Sequence, residues 1–426
     1  MRYYNGIISC FSTNFLLLFA CLLLLWGCGQ VSFGDSPISS IEIDIDESSV
    51  IKFSDIYECI RFVKLETSSD NLIGRVDKLI ATNDKYIILD RSMANMVFVF
   101  NSDGSFSNRI GAQGRGPNEY DEPDDIAYDM HDDVLLILCH NYKTILRFKL
   151  DGTFVGKTEF DWWVNSISVV DKNAYLLYFN NRVQPDRKKN DHNIFIVNKE
   201  GVILEKLFPY INEFGELYPP QPSFSHFQNE VLFTPNYFNK SYKLENSKIE
   251  TKYSLDFKRH NIPEASLKNK TNKELDKIIK ENDYAYMTAL SETTSHVICQ
   301  YVYRQIRYDC FYSKETGAVK TSSMYFNDMY ALLTGQTFSC LKGDSLVSYI
   351  DPQFIDYYKS LADSLSNNSD IYSWYFSSLP DSKVKDNFLK IITSTNITMT
   401  DTEIDFINSV DKYDNHILMI SELKNF

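Results

Sequence analysis

Residues able to do chemistry are scattered along this chain. The seven histidines stand at positions 131, 140, 192, 226, 260, 296 and 416, and none sits in an HExxH or comparable metal spacing. No GxSxG elbow is present to expose a serine nucleophile. Gly111, Gly114 and Gly116 have the wrong spacing for GxGxxG or a P-loop, and they read as a glycine-rich turn. Asp121, Glu122, Asp124, Asp125, Asp129, Asp132 and Asp133 could offer oxygens to calcium. Pro123 interrupts them and the interval is too irregular for an EF-hand, so a solvated turn beside a strand is the better account. No metal, no cofactor and no catalytic residue is expected.

Binding chemistry concentrates in the loop 114–120, where Arg115, Asn118, Glu119 and Tyr120 are the candidate ligand-binding residues. Arg grips an anion through two parallel N–H bonds, and Tyr offers an apolar ring with a polar tip. The competing account is that Glu119 and Tyr120 only pin the turn. Trp162-Trp163 could stack on a sugar ring, although packing between sheets explains the pair as well.

The elements that position these residues begin after an export signal. Arg2 is the only charge before Asp35, and Phe15 to Trp26 form a 12-residue apolar run. That run is short for a membrane span, which needs about 20 residues, and suits the core of a secretory signal. It ends in Leu25-Trp26-Gly27-Cys28, which resembles a bacterial lipobox, so residues 1–27 are expected to be cleaved and Cys28 to carry lipid. No acidic cluster follows Cys28, which points to the periplasmic side of an outer membrane. The chain carries 43 basic and 57 acidic residues, net −14, and −15 without residues 1–27 and their Arg2. Nucleic acid is excluded as a partner, because binding it needs a basic stripe. Five of eight cysteines (59, 139, 299, 310 and 340) remain beyond Cys28. An odd number without CxxC argues against a disulfide framework, leaves one opportunistic pair open, and favours buried thiols acting as small apolar residues.

Internal repetition is the strongest pattern. Met96 to Phe106, Ile145 to Phe154 and Asn193 to Ile203 each read as a strand, a two-residue turn of the Asp-Gly type and a second strand. Their turns fall at 103, 151 and 200, a spacing of 48 and 49 residues. Weaker copies follow at 240–249 and 308–319, and another strand-like run precedes each hairpin (85–90, 134–139, 174–179, 230–234 and 295–301). Four short strands in about 48 residues is the size of a propeller blade. The expected fold is all-β: a six-bladed β-propeller of four-stranded antiparallel blades with helical insertions in the C-terminal half. Residues 28–50 read as a tether and 51–426 as the propeller. One insert is placed at about 262–290, with Thr271 and Glu274 as its capping box, and one at about 352–410, opened by Asp351-Pro352. Ile60 to Leu65 and His416 to Ile420 are expected to share one blade and close the ring.

The sequence resembles the 6-bladed β-propeller lipoproteins of Gram-negative gut and soil bacteria, which are related to NHL-repeat propellers. The residues that carry the likeness are Phe62-Val63-Lys64-Leu65-Glu66-Thr67, Leu72-Ile73-Gly74, Val99 to Gly104, Ile110 to Tyr120, Pro123 to Asp129, and Asp414-Asn415-His416-Ile417-Leu418, where the family usually has Pro in place of His416. The resemblance implies fold and export more firmly than activity. The expected function is therefore an exported, lipid-anchored binding or interaction module of the cell envelope. Its partners would be the membrane, through the N-terminal lipid, and a glycan, a peptide or an envelope protein. The alternative is a lyase or hydrolase working at the mouth of the channel.

Overall fold

A computed structural model describes residues 39–45, 50–114, 118–139, 143–182, 192–210, 224–245, 248–329, 338–356 and 400–426, with positions 116, 359, 386 and 390 besides. Six four-stranded antiparallel units follow one another. Blade 1 spans 78–110, blade 2 125–159, blade 3 166–209, blade 4 224–256 and blade 5 285–322. Blade 6 joins Cys340–Lys342, Ser345–Ile350 and Ile417–Leu423 to Tyr57–Lys64 from the other end of the chain.

Burial follows position in the blade. Val134–Cys139, a second strand, is buried at all six positions because neighbouring blades cover both of its faces. Phe154–Glu159, the fourth strand of the same blade, alternates towards solvent. Apolar clusters accordingly lie between blades: Leu136, Leu138 and Ile145 of blade 2 pack with Tyr175, Leu177 and Phe195 of blade 3.

The three repeated hairpins turn on three residues each, one more than the sequence suggests. Gly104, Gly152 and Gly201 take φ of 90°, 89° and 84°. Each donates its N–H back three residues, to Asn101, Lys149 and Asn198, and the residue after each glycine accepts the N–H of that same partner. This is a type I turn closed by a glycine bulge, so the glycine meets a backbone requirement.

Two expectations about organisation change. Residues 39–45 are not tether. Ser39–Glu42 pairs in parallel with Tyr253–Asp256 on the outer edge of blade 4. Ile41, Ile43 and Ile45 are buried, while Glu42 and Asp44 both reach Lys258, at 3.0 and 3.2 Å. The alternation Ile-Glu-Ile-Asp-Ile is that of a half-buried strand. The helical insert is also shorter than 262–290. Asn272–Glu281 is helix, with Thr271 N donating to Glu274 Oε2 at 2.8 Å, whereas Ala285–Glu292 is the first strand of blade 5. Around the other insert, Asp351 caps a short 3-10 turn at Pro352–Phe354 and Asp401–Asn408 is helix. Most of 357–399 lies outside the described residues.

Ring closure rests on a polar knot. Tyr57–Lys64 runs antiparallel to Ile417–Leu423. Just before that strand, Asn415 is fully buried. Its Nδ2 donates to Glu66 O at 2.7 Å and Asn71 O at 2.9 Å, and its Oδ1 accepts Ile73 N–H at 2.8 Å. Asp90 then accepts four backbone N–H groups, from Gly74, Arg75, Met93 and Ala94, at 2.7–3.0 Å. Asn415→Ala should lower unfolding free energy in urea by about 2–4 kcal/mol, since it strands one donor and two acceptors in the core. A loss below about 0.5 kcal/mol would remove the knot from this account.

Between blades 5 and 6, Asp309 is buried and accepts bonds from Gln300 Nε2 and Tyr325 Oη, both at 2.9 Å. Burial pushes its carboxyl up from 3.8 to about 6, against the pull of those two bonds. The folded chain therefore holds the proton more tightly than the unfolded one between those values. Acid favours folding in that window, and the penalty of burying the carboxylate is complete above it. Asp309→Asn should gain on the order of 2 kcal/mol over the parent at pH 7 and little at pH 4. Urea midpoints across that range check it, and a pH-independent difference contradicts the assignment.

Candidate functional site

The first strand of each blade borders the central channel. These strands touch in succession from blade 1 to 2 and 2 to 3, again from 4 to 5, and Cys340–Lys342 of blade 6 returns to Lys78–Ala81 of blade 1. Polar side chains on them link blade to blade. Lys78 Nζ reaches Asp125 Oδ1 at 2.6 Å, from blade 1 to 2. Asp125 Oδ2 accepts the Ile167 N–H of blade 3 at 2.9 Å, satisfying a donor on an otherwise open strand edge. Ser168 Oγ lies 2.9 Å from His226 Nε2, joining blades 3 and 4. Ser225 Oγ donates to Leu290 O of blade 5 at 2.7 Å.

His226 is the open member of this belt. Ser168 and Asp125 are buried, but the His226 side chain keeps a solvent-accessible surface although protein surrounds it. That crowding pushes the imidazole below its ordinary range, and the Lys78 ammonium pushes the same way. A neutral imidazole, a serine hydroxyl and a Lys–Asp pair together offer donors and acceptors with no net charge. This suits hydroxyl- or amide-rich ligands better than strongly charged ones.

In the loop 114–120, Glu119 and Tyr120 pin the turn, as the competing account has it. Tyr120 is fully buried between blades 1 and 2, donates to Ile110 O at 2.6 Å and accepts Val97 N–H at 3.3 Å. Its ring fills the space beside Gly111, where a Cβ would come within 2.6 Å. Glu119 Oε2 accepts Gly116 N–H at 2.7 Å and sits where a Cβ on Gly114 would have to be. Tyr120 thus ties the end of the loop to blade 1 at Val97 and Ile110, while Glu119 holds the loop's own backbone at Gly116. Asn118 is exposed. Arg115 and Cys28 lie outside the described residues.

The acidic stretch disperses. Asp125 belongs to the channel belt, Asp129 accepts His131 N–H at 3.0 Å, Asp132 pairs with Lys199, and Asp133 accepts Tyr128 Oη at 2.6 Å. Among the described residues no cluster of metal-ligating side chains forms. Trp162 stacks on Phe160 and meets the edge of Phe195, as core packing. Trp163 carries Lys143 Nζ 4.6 Å above its ring. Of the five described cysteines, all thiols, Cys59 is exposed rather than buried because it lies on the outermost strand of blade 6.

Sequence inspection missed Lys78, Ser168 and His226. The signal lay in their place in the repeat: Lys78 and Asp125 open the first strand of a blade, and Ser168 and His226 are third in theirs.

A family model described as 6-bladed beta-propeller matches residues 37–349. Among solved structures, a protein described as exported from Bacteroides fragilis superposes with a TM-score of 0.68 at 19% identity, covering 91% of this chain and all of that one. A member of the DUF4221 family from Bacteroides vulgatus gives 0.46 at 10% identity, over 62% of this chain and 85% of that one. BamB from Moraxella catarrhalis gives 0.33 at 9% identity, over 61% and 63%. Identities this low report fold alone. No curated protein matches the sequence.

Two substitutions separate turn-building from surface residues in the loop. Tyr120→Phe should cost about 1–2 kcal/mol, since it removes a buried donor from Ile110 O and an acceptor from Val97 N–H. Asn118→Ala should stay within about 0.5 kcal/mol of the parent. Urea unfolding of both variants checks this, and equal effects would contradict the burial described.

Proposed function

The chain belongs to the 6-bladed beta-propeller family, and from that footing we propose that it is an exported, lipid-anchored binding module of the cell envelope, related to NHL-repeat propellers. Cys28 carries the lipid, and the body faces the periplasm. The ligand is a glycan, a peptide or an envelope protein that presents hydroxyl or amide groups to the channel. The observation that carries this reading is the belt Lys78, Asp125, Ser168 and His226, neutral in sum and open to solvent at His226. The exported description of the Bacteroides fragilis relative agrees with the signal-like N-terminus.

The contact between Ser168 and His226 favours a second reading, a hydrolase using Ser168 as nucleophile. Ser168 is only 2% exposed, which supports binding over acyl transfer.

One set of samples tests the proposal. Cys28→Ala, expressed with its signal, should leave the membrane fraction, and unchanged attachment overturns the anchor. Parent and His226→Ala protein are then screened on glycan and peptide arrays. A ligand whose binding falls at least tenfold in His226→Ala supports the channel. Labelling of Ser168 by a fluorophosphonate would favour the hydrolase instead.

A further inference from the structure

Blade 5 sets two cysteines face to face. Cys299 and Cys310 are direct register partners on adjacent antiparallel strands, His296–Tyr303 and Ile306–Ser313. Both are fully buried on the side facing blade 4, among Leu232, Tyr253 and Leu255. The next pair on that face, Tyr301 and Tyr308, stacks with ring centroids 5.0 Å apart and planes 5° apart, so the strands hold their partners in close registration. The Cys310 thiol stands near enough to Cys299 to raise the pKa of that thiol. Directly opposed residues place their Cα atoms about 4.5–5.5 Å apart, inside the span of about 4.4–6.8 Å that a disulfide requires. None of the other described cysteines faces a cysteine: Cys59 opposes Glu422, Cys340 opposes Val347, and Cys139 opposes Thr144.

We propose that Cys299 and Cys310 close a cross-strand disulfide in the mature protein, formed before blade 5 packs against blade 4. The inference rests on the exported location proposed above, where oxidants are available. The oxidant is an organic disulfide, supplied as glutathione disulfide or as the oxidised dithiol of an envelope oxidoreductase. One cysteine thiolate attacks it and forms a mixed disulfide, which the second cysteine resolves. Two S–H bonds are lost and one S–S bond forms. Two electrons and two protons pass to the oxidant, which leaves as two thiols. In the folded protein neither sulfur is reachable, and the Cys310 thiol together with burial holds Cys299 protonated. Oxidation therefore belongs to folding and is not a response of the finished ring. The bond would tie the second and third strands of blade 5 together on the face that packs against blade 4.

The test uses the full chain purified from a reducing cytoplasm, unfolded and then refolded in a mixture of reduced and oxidised glutathione. After acid quench, alkylation in urea and digestion, mass spectrometry should find the Cys299 peptide joined to the Cys310 peptide, with Cys59, Cys139 and Cys340 alkylated. The linked protein should unfold at higher urea than the same sample after reduction, and Cys299→Ser with Cys310→Ser should lose that difference. Native reduced protein placed in the same buffer should stay reduced. Cys299 and Cys310 alkylated as fully as Cys139 after refolding would overturn the proposal, as would links spread over several cysteines. If refolding fails, the same alkylation on protein taken directly from the envelope fraction decides the question. Refolding in glutathione does not depend on export. An absent bond there counts against the pair itself, whereas a bond formed there but missing in cells counts against the location.

Discussion

A propeller is a sheet-built ring, and its weakest point is where the chain's two ends meet. Here that point is the pairing of Tyr57–Lys64 with Ile417–Leu423, reinforced by Asn415. Without it, blade 6 would lack its outer strand and blade 1 would lose a packed neighbour: Val63, Leu65, Leu418 and Ile420 share a cluster with Tyr86, Ile88 and Phe98. Because every blade is packed on two sides, loss at one junction exposes apolar faces on both sides of the gap. Asn415 suits the junction because it supplies donors and an acceptor at once, where an apolar residue would leave backbone groups of 66–73 without partners.

The N-terminal segment adds a second restraint. Ser39–Glu42 extends blade 4, and Ile51–Lys52 pairs in parallel with Tyr325–Phe326 beside blade 5. Phe53 and Ile56 then fill the space between blades 5 and 6 with Phe311, Leu346 and Met419. This strap covers the edge of blade 4, where an open row of backbone groups would invite pairing with another chain.

Much of the ring was legible in the sequence because its hairpins repeat near 48 residues and end in glycine. Blade 6 was not legible as a repeat. The second insert separates Ser345–Ile350 from Ile417–Leu423, and the remaining strand comes from the other terminus. The first insert was legible at its start, since Thr271 and Glu274 form a capping box, but not at its end. The run Ala285–Glu292 mixes Ala, Met and Leu with Thr, a composition compatible with helix, and only its pairing with His296–Tyr303 fixes it as strand. The candidate site was the least legible part. Polar residues in a loop invite a functional reading, yet Glu119 bonds the loop's own backbone and Tyr120 bonds the neighbouring strands of blade 1. Lys78, Ser168 and His226 look ordinary in sequence and become neighbours only when six blades bring their first strands to one axis.

That convergence limits what the channel can do. Asp125 holds Lys78 and the Ile167 N–H together, so two of its roles are structural before any ligand arrives. A group committed to joining blades cannot change its charge freely during a reaction cycle, because loss of the carboxylate would unpair a lysine and strand an amide. His226 is under less constraint. It has one contact to Ser168 and an open face, and the lysine nearby favours the neutral ring. A belt in which three members hold the ring and one faces the solvent has the character of a binding surface: the rigid members fix the geometry, and the open imidazole meets what enters.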